Sequence, residues 1–264
     1  MQGIGVVTIL GSGASSGVPL ITCGCETCSS QEEKNKRLRT SIWLEVEDKS
    51  IVVDTGPDFR AQALRAGLKK LDGIIFTHMH FDHIAGIDDT RVFIFETKKP
   101  IPMLISQESF DDFSVKYGYF FREHHFSTAK VDPIILNEAM NNHSFLGLDW
   151  TVVSYFQASM KVIGFKIGDF AYITDIKDYE DDIIGLIKGA NTLVISALKD
   201  ERTPYHLSFD QAIEFSKKVG AKKTYLTHLS HDVNYLQHSK KLPQGVYLAY
   251  DGLKLEFTYE RKSD

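Results

Sequence analysis

Gly73-Ile74-Ile75-Phe76-Thr77-His78-Met79-His80-Phe81-Asp82-His83 runs from an apolar stretch straight into four metal-capable side chains held within six residues. Imidazole nitrogens and carboxylate oxygens are the donors that zinc, manganese and iron accept in hydrolytic sites. The spacing H-x-H-x-D-H cannot share one face of a continuous helix or strand. The chain therefore turns here, at a strand end, and aims several ligands inward from a loop. Four donors so placed suit two metal ions better than one. The bland alternative is a solvated histidine-rich turn, and it sits poorly with an apolar run that would anchor that turn in a core. Ten histidines among 264 residues make such a cluster rare by chance.

Three further segments end an apolar or β-branched run on a potential ligand. Asp54 closes Ile51-Val52-Val53, Asp175 closes Ala171-Tyr172-Ile173-Thr174, and His228 closes Thr224-Tyr225-Leu226-Thr227. Proteins of the α/β type assemble sites from strand ends distant in sequence in this way. Singly, Asp54 or Asp175 reads as a turn residue. Together with Thr77-His78-Met79-His80-Phe81-Asp82-His83 and in this order, they resemble the metallo-β-lactamase superfamily over almost the whole chain.

That resemblance implies an α+β fold, a four-layer αββα sandwich, and a binuclear hydrolase. It implies that His78 and His80 bind a first metal, that Asp82, His83 and His228 bind a second, and that Asp175 bridges them. Asp54 would orient a ligand histidine from behind. The nucleophile would be a hydroxide held between the metals, which places Asp82 and Asp54 among the catalytic residues.

The cysteines make a separate argument. All three lie in Cys23-Gly24-Cys25-Glu26-Thr27-Cys28, and an odd number within six residues suits a thiolate cluster better than a disulfide framework. A closed tetrahedral zinc needs a fourth ligand from elsewhere. His231, three residues beyond His228, is the candidate. The pairing of C-x-C-x2-C with His228-Leu229-Ser230-His231 narrows the resemblance to the PhnP and PqqB branch of the superfamily, where the second histidine completes a structural zinc site. The cofactors implied are zinc or manganese at the two-metal site and structural zinc at Cys23, Cys25, Cys28 and His231.

The chain departs from this pattern at one position. A further histidine is expected seven residues before Gly164-Phe165, and Gln157 stands there. An amide oxygen is a weaker ligand than imidazole for zinc or iron, so the first site is expected to bind loosely. His143, His124 and His125 are less suitable substitutes. His206, in Pro204-Tyr205-His206-Leu207-Ser208, corresponds by resemblance to a histidine near the metals that aids leaving-group protonation. Imidazole offers such a general acid near neutrality, and a locally bonded helix-entry histidine is the alternative.

Composition agrees with a cytoplasmic enzyme. Hydrophobic residues make up 43%, charged residues 25%, and the net charge is −5. This balance argues weakly against nucleic acid as the main partner. No run approaches the roughly 18 apolar residues of a membrane span, and the first residues lack a signal-peptide pattern. No linker divides the chain and the ligands run from His78 to His228, so one domain over 1–264 is expected, with a rim insertion near 91–130. That insertion is aromatic, and its side chains could pack as core, line a pocket or form a homodimer contact.

Strands are expected near 4–10, 40–47, 50–54, 73–76, 131–136, 151–156, 161–167, 170–174, 192–196, 223–227 and 246–258. Helices are expected near 58–66, 107–117, 178–188, 208–218 and 232–240. Gly11-Ser12-Gly13-Ala14-Ser15-Ser16-Gly17 lacks the lysine of a phosphate loop and reads as a turn at the site rim, with N–H groups able to meet an anion.

The leading function is a metal-dependent phosphodiesterase on a small anionic phosphate ester, cyclic esters included. The alternatives are PqqB-like redox or hydroxylation chemistry, a thioester or lactone hydrolase, and a metal-binding protein impaired by Gln157.

Overall fold

The computed structural model describes residues 1–121, 130–137 and 139–261, with Glu96 described in its backbone alone. Among these residues, fourteen strands form two sheets of seven. The first sheet contains β1 (Gln2–Gly11), β2 (Ser41–Val46), β3 (Lys49–Val53), β4 (Gly73–Ile75), β5 (Ile101–Ile105), β6 (Val131–Ile135) and β14 (Lys254–Glu260). The second contains β7 (Asn142–Phe145), β8 (Leu148–Gln157), β9 (Met160–Ile167), β10 (Phe170–Ile173), β11 (Thr192–Ser196), β12 (Lys223–Thr227) and β13 (Val246–Leu248). The strand orders are β14-β1-β2-β3-β4-β5-β6 and β13-β12-β11-β10-β9-β8-β7. Each sheet is antiparallel on one side and parallel on the other, across β3-β4-β5-β6 and β10-β11-β12-β13.

Alternation along the strands builds the layers. On β3, Ile51 and Val53 face a core shared with Trp150 and Phe165 of the second sheet, while Val52 faces the opposite way, toward Phe59 and Phe113. On β11, Val194 faces the shared core, and Leu193 and Ile195 face Ala212 and Phe215. Successive side chains of a strand point to opposite faces, so a continuous Val/Ile run means that both faces are covered. The three apolar clusters are thus the three interfaces of an αββα sandwich. Helices Phe59–Ala66 and Gln107–Lys116 cover the first sheet, and Asp182–Ile187 and Phe209–Val219 cover the second.

Local signals set the helix ends. Ser208 and Gln211 form a reciprocal capping box at the start of Phe209–Val219, and Gly220 closes that helix in the left-handed region at φ 79°. No helix among the described residues is long and apolar enough to cross a membrane.

Two expectations change. The run 246–258 is not one strand: it breaks at Ala249–Leu253, and its halves β13 and β14 join different sheets. The expected rim insertion near 91–130 also contracts. Its residues Ile101–Ile105 are β5, inside the first sheet between β4 and β6, and Phe113 and Phe120 are buried against that sheet. Phe95 and Phe121 remain exposed. His124 and His125 lie outside the described residues.

Candidate metal centre

Parallel neighbours end at the same edge of a sheet, and that edge is where the candidate ligands gather. Asp54 follows β3, Thr77–His83 follow β4, Asp175 follows β10 and His228 follows β12. Asp54, Asp175 and His228 all turn off their strands in the left-handed region, at φ 63°, 54° and 58°. That conformation costs an L-residue with a Cβ about 1–2 kcal/mol, and such costs persist only where the surroundings dictate them. All three side chains are buried, as are His78 and His83.

The Asp54 carboxylate accepts hydrogen bonds from the Thr77 N–H at 2.9 Å and the Thr77 hydroxyl at 2.7 Å, and its Oδ2 lies 2.6 Å from His83 Nδ1. The His83 ring is thereby oriented with Nε2 toward the cluster, 3.3 Å from both Asp82 Oδ2 and Asp175 Oδ2. Asp175 presents its other oxygen, Oδ1, to His228 Nε2 at 3.2 Å. Asp175 therefore stands between the two histidines.

Charge in the cluster is strongly coupled. Burial works against an ion on His83, but the Asp82, Asp54 and Asp175 carboxylates hold it well above the ordinary imidazole range. His228 is raised against the same burial cost by Asp175 and Asp82. Burial would raise Asp175, yet His228 and His83 hold it well below the carboxylate range. His78 is pushed well down by burial and then by the charge of His83.

The residues suit divalent cations on two counts. Three buried carboxylates converge on one place and require positive charge, which protons on His83 and His228 otherwise provide. Buried polar atoms without a hydrogen-bond partner, namely His83 Nε2, His228 Nε2 and Gln157 Oε1, are atoms a cation would engage.

The donors group somewhat differently from the sequence expectation. Three sets have their atoms within 4.8 Å of one another: His78 with His83 and Asp175, Asp82 with His83 and His228, and Asp175 with His206 and His228. His80 meets the cluster through His78, its Nδ1 lying 2.9 Å from His78 Nε2. Gln157 is engaged through its amide nitrogen, and its Oε1 is buried without a hydrogen-bond partner. Its amide nitrogen donates to Asp175 Oδ1 at 3.2 Å and lies against the His206 ring. His143 bonds to the Met140 carbonyl and is no substitute ligand.

His206 stacks on His228 with ring centroids 4.7 Å apart. Burial, and then the charge of His228, push His206 down to about 4. These surroundings disfavour the charged ring and favour the neutral one. The His206 loop is held by Thr203 and by Lys177, whose Nζ reaches the Thr203 carbonyl at 2.7 Å. Lys177 has no motif to announce it.

His80, Asp82, Gln157, Asp175, His206 and His228 line a cleft of about 530 Å³, with Ser15, Phe81, Met160 and Tyr205 on its walls. The glycine-rich loop contributes less than expected. The N–H groups of Ser12, Gly13, Ala14 and Gly17 are donated to Asp251, Leu38, Leu229 and Ala14, which leaves them no anion to hold.

At the second cluster, Cys23, Cys25, Cys28 and His231 bring four donor atoms within 4.8 Å. Cys23 Sγ and Cys25 Sγ lie 3.4 and 3.5 Å from His231 Nδ1. A tetrahedral zinc with ordinary Zn–S and Zn–N lengths spaces sulfur and nitrogen about 3.5 Å apart. The Cys28 N–H and the His231 ring lower the Cys25 thiol to about 6, whereas burial pushes Cys28 up to about 11.

Residues 49–229 match the family model described as the beta-lactamase superfamily domain. The chain is 34% identical over 251 residues to the octanoyltransferase of Porphyromonas gingivalis, an alignment covering 93% of this chain and 50% of that protein. The chain thus spans about half the length of that curated relative. A crystal structure of a diphosphatase from the PhnP family superposes with a TM-score of 0.91 at 34% identity, covering 98% of this chain and 99% of that one. Zinc-bound PqqB from Methylobacterium extorquens gives 0.75 at 20% identity over 95% and 99% of the two chains, a likeness of fold alone. With the sandwich and its strand-end histidines and aspartates in place, these matches mean that the chain belongs to the metallo-β-lactamase superfamily and is similar to its PhnP branch.

Proposed function

We propose that the chain hydrolyses a small phosphate ester or phosphoric anhydride with two divalent ions, zinc or manganese, and that residues 1–264 act as one domain. His78 and His80 would hold one ion, Asp82, His83 and His228 the other, with Asp175 between and Gln157 a weak partner of the first. The observation that carries this reading is the convergence of buried Asp54, Asp82 and Asp175 on His83 and His228, whose Nε2 atoms lack hydrogen-bond partners. Substrate class rests on the similarity, over nearly the full length of both chains, to a diphosphatase of the PhnP family.

Two ions in such a place supply Lewis acidity toward a phosphoryl oxygen and make a water acidic enough to attack at neutral pH. The protein's own groups do the positioning. Asp54 fixes the tautomer and direction of His83, and Asp175 shares its two oxygens between His83 and His228. Neither lysine nor arginine lines the cleft among the described residues, so the negative charge of a phosphate depends on the metals, helped by Ser15 and Ser159. Phe81, Met160 and Tyr205 offer an apolar wall to the leaving group. His206, neutral near pH 7, has one ring N–H to donate toward the leaving oxygen.

The test is metal content on protein purified without chelator, paired with turnover of bis-p-nitrophenyl phosphate, a diphosphate diester and an octanoyl thioester. About three metals per chain, two catalytic and one structural, with manganese-stimulated phosphate release are expected. Thioester cleavage without phosphate release would reject the substrate class, and metal loading without any turnover would support the impaired-site alternative.

A further inference from the structure

Arg37 is among the largest fully buried side chains, with 1% exposure. Its guanidinium donates to the Ser230 carbonyl at 3.1 Å, the Val233 carbonyl at 2.6 Å and the Asn35 side-chain oxygen at 3.2 Å. All three acceptors are neutral, and no carboxylate forms an ion pair with Arg37 among the described residues. Asp251 exerts the largest favourable charge on Arg37, but its carboxylate is bonded to Arg65, Ser12 and the Leu38 N–H. A buried cation without a partner is costly, and such costs are met by a counter-charge nearby.

The thiolate cluster is a second source of negative charge, after Asp251. Cys28 is one of the groups whose charge acts on Arg37. The Arg37 backbone pairs with Val18 in both directions, and two residues on the Leu20 N–H donates to Cys28 Sγ at 3.3 Å. From the other side, Ser230 and Val233 flank His231. Zinc with three thiolates and a neutral imidazole carries a net charge of −1, which is what one guanidinium balances. The Ser230–Val233 segment also continues from His228, whose left-handed backbone delivers the active-site imidazole.

We propose that Arg37 is the resident counter-charge of the cysteine–histidine zinc cluster and a positioning residue for the segment from His228 to Val233. This rests on zinc occupying Cys23, Cys25, Cys28 and His231. The inference separates charge from hydrogen bonding. Arg37→Gln keeps donors and loses the charge, whereas Arg37→Lys keeps the charge and loses the planar fork.

The experiment is zinc stoichiometry and competition with a chromogenic chelator on the full chain. Arg37→Gln is expected to weaken the structural zinc about 10- to 100-fold, the range for residues supporting metal ligands, and Arg37→Lys about threefold or less. A second background keeps the test decisive if Arg37→Gln folds poorly. Cys23→His makes the loaded cluster neutral, so the penalty of Arg37→Gln is expected to shrink there. An equal penalty in both backgrounds, failure to fold in both, or native zinc affinity in Arg37→Gln overturns the inference. Absence of cluster zinc from the native chain overturns the zinc reading as well, and the native measurement distinguishes these two failures.

Discussion

At the scale of single residues, Asp54 gives the cluster no ligand atom facing the cleft, yet it sets the ring of His83 through a 2.6 Å contact. Asp54→Asn keeps the shape but replaces an acceptor by an amide of the wrong polarity. The expected result is a 10- to 100-fold loss of affinity for active-site metal, read by chelator competition, with the cysteine cluster still loaded. Unchanged affinity would remove Asp54 from the supporting role. Gln157 makes the complementary case, because its amide nitrogen is spent on Asp175 and its oxygen is buried without a partner. Gln157→His exchanges a weak donor for a strong one, and titration should show the looser equivalent of zinc binding at least about tenfold tighter. If that equivalent is unmoved, position 157 does not serve the first metal.

At the scale of elements, the metal loop is held by close backbone contact. A Cβ placed on Gly56 would sit 1.9 Å from the Asp82 carbonyl oxygen, and one on Gly86 would sit 2.1 Å from the Gly56 carbonyl oxygen. The turns after β3 and β4 thus press together, and only a residue without a side chain allows it. Gly56→Ala must displace backbone that carries Asp82 and His83. A stability loss of about 1–3 kcal/mol is expected in denaturant titration, accompanied by loss of active-site metal. Native metal binding in this variant would show that the ligand loop is not positioned by that contact.

At the scale of the whole molecule, the charges of the centre couple metal, pH and stability. His83 and His228 have raised values in the folded protein, so their contribution to stability is present below the unfolded value near 6.5 and is lost as pH climbs through the folded values. Asp82 and Asp175 are lowered, so theirs is present above about 4 and is lost as pH falls through their folded values. Metal-free protein should therefore lose stability as pH rises above about 6.5. Cations replace the histidine protons, so the rise in melting temperature on adding manganese or zinc should grow over the same interval. A metal-induced shift independent of pH would contradict this coupling.

The histidine run, the strand-end acids and the cysteine spacing were legible because ligand chemistry restricts residue type and spacing locally, and because continuous apolar runs mean two covered faces. Other features depended on long-range packing. Ile101–Ile105 looked like part of an aromatic insertion and became an interior strand, since strand order is a matter of which edges meet. Arg37 lies in the basic run Lys34-Asn35-Lys36-Arg37-Leu38-Arg39, and its burial depends on segments far along the chain. The amides of the glycine-rich loop were consumed by Leu229 and Leu38, partners far along the chain. The sequence by itself determined which side chains could bind metal and that they stand at strand ends. Only the tertiary structure decided which donors share a site, that Gln157 bonds to Asp175 and that burial disfavours a charged His206, because burial and neighbouring charge arise when separate strand ends come together.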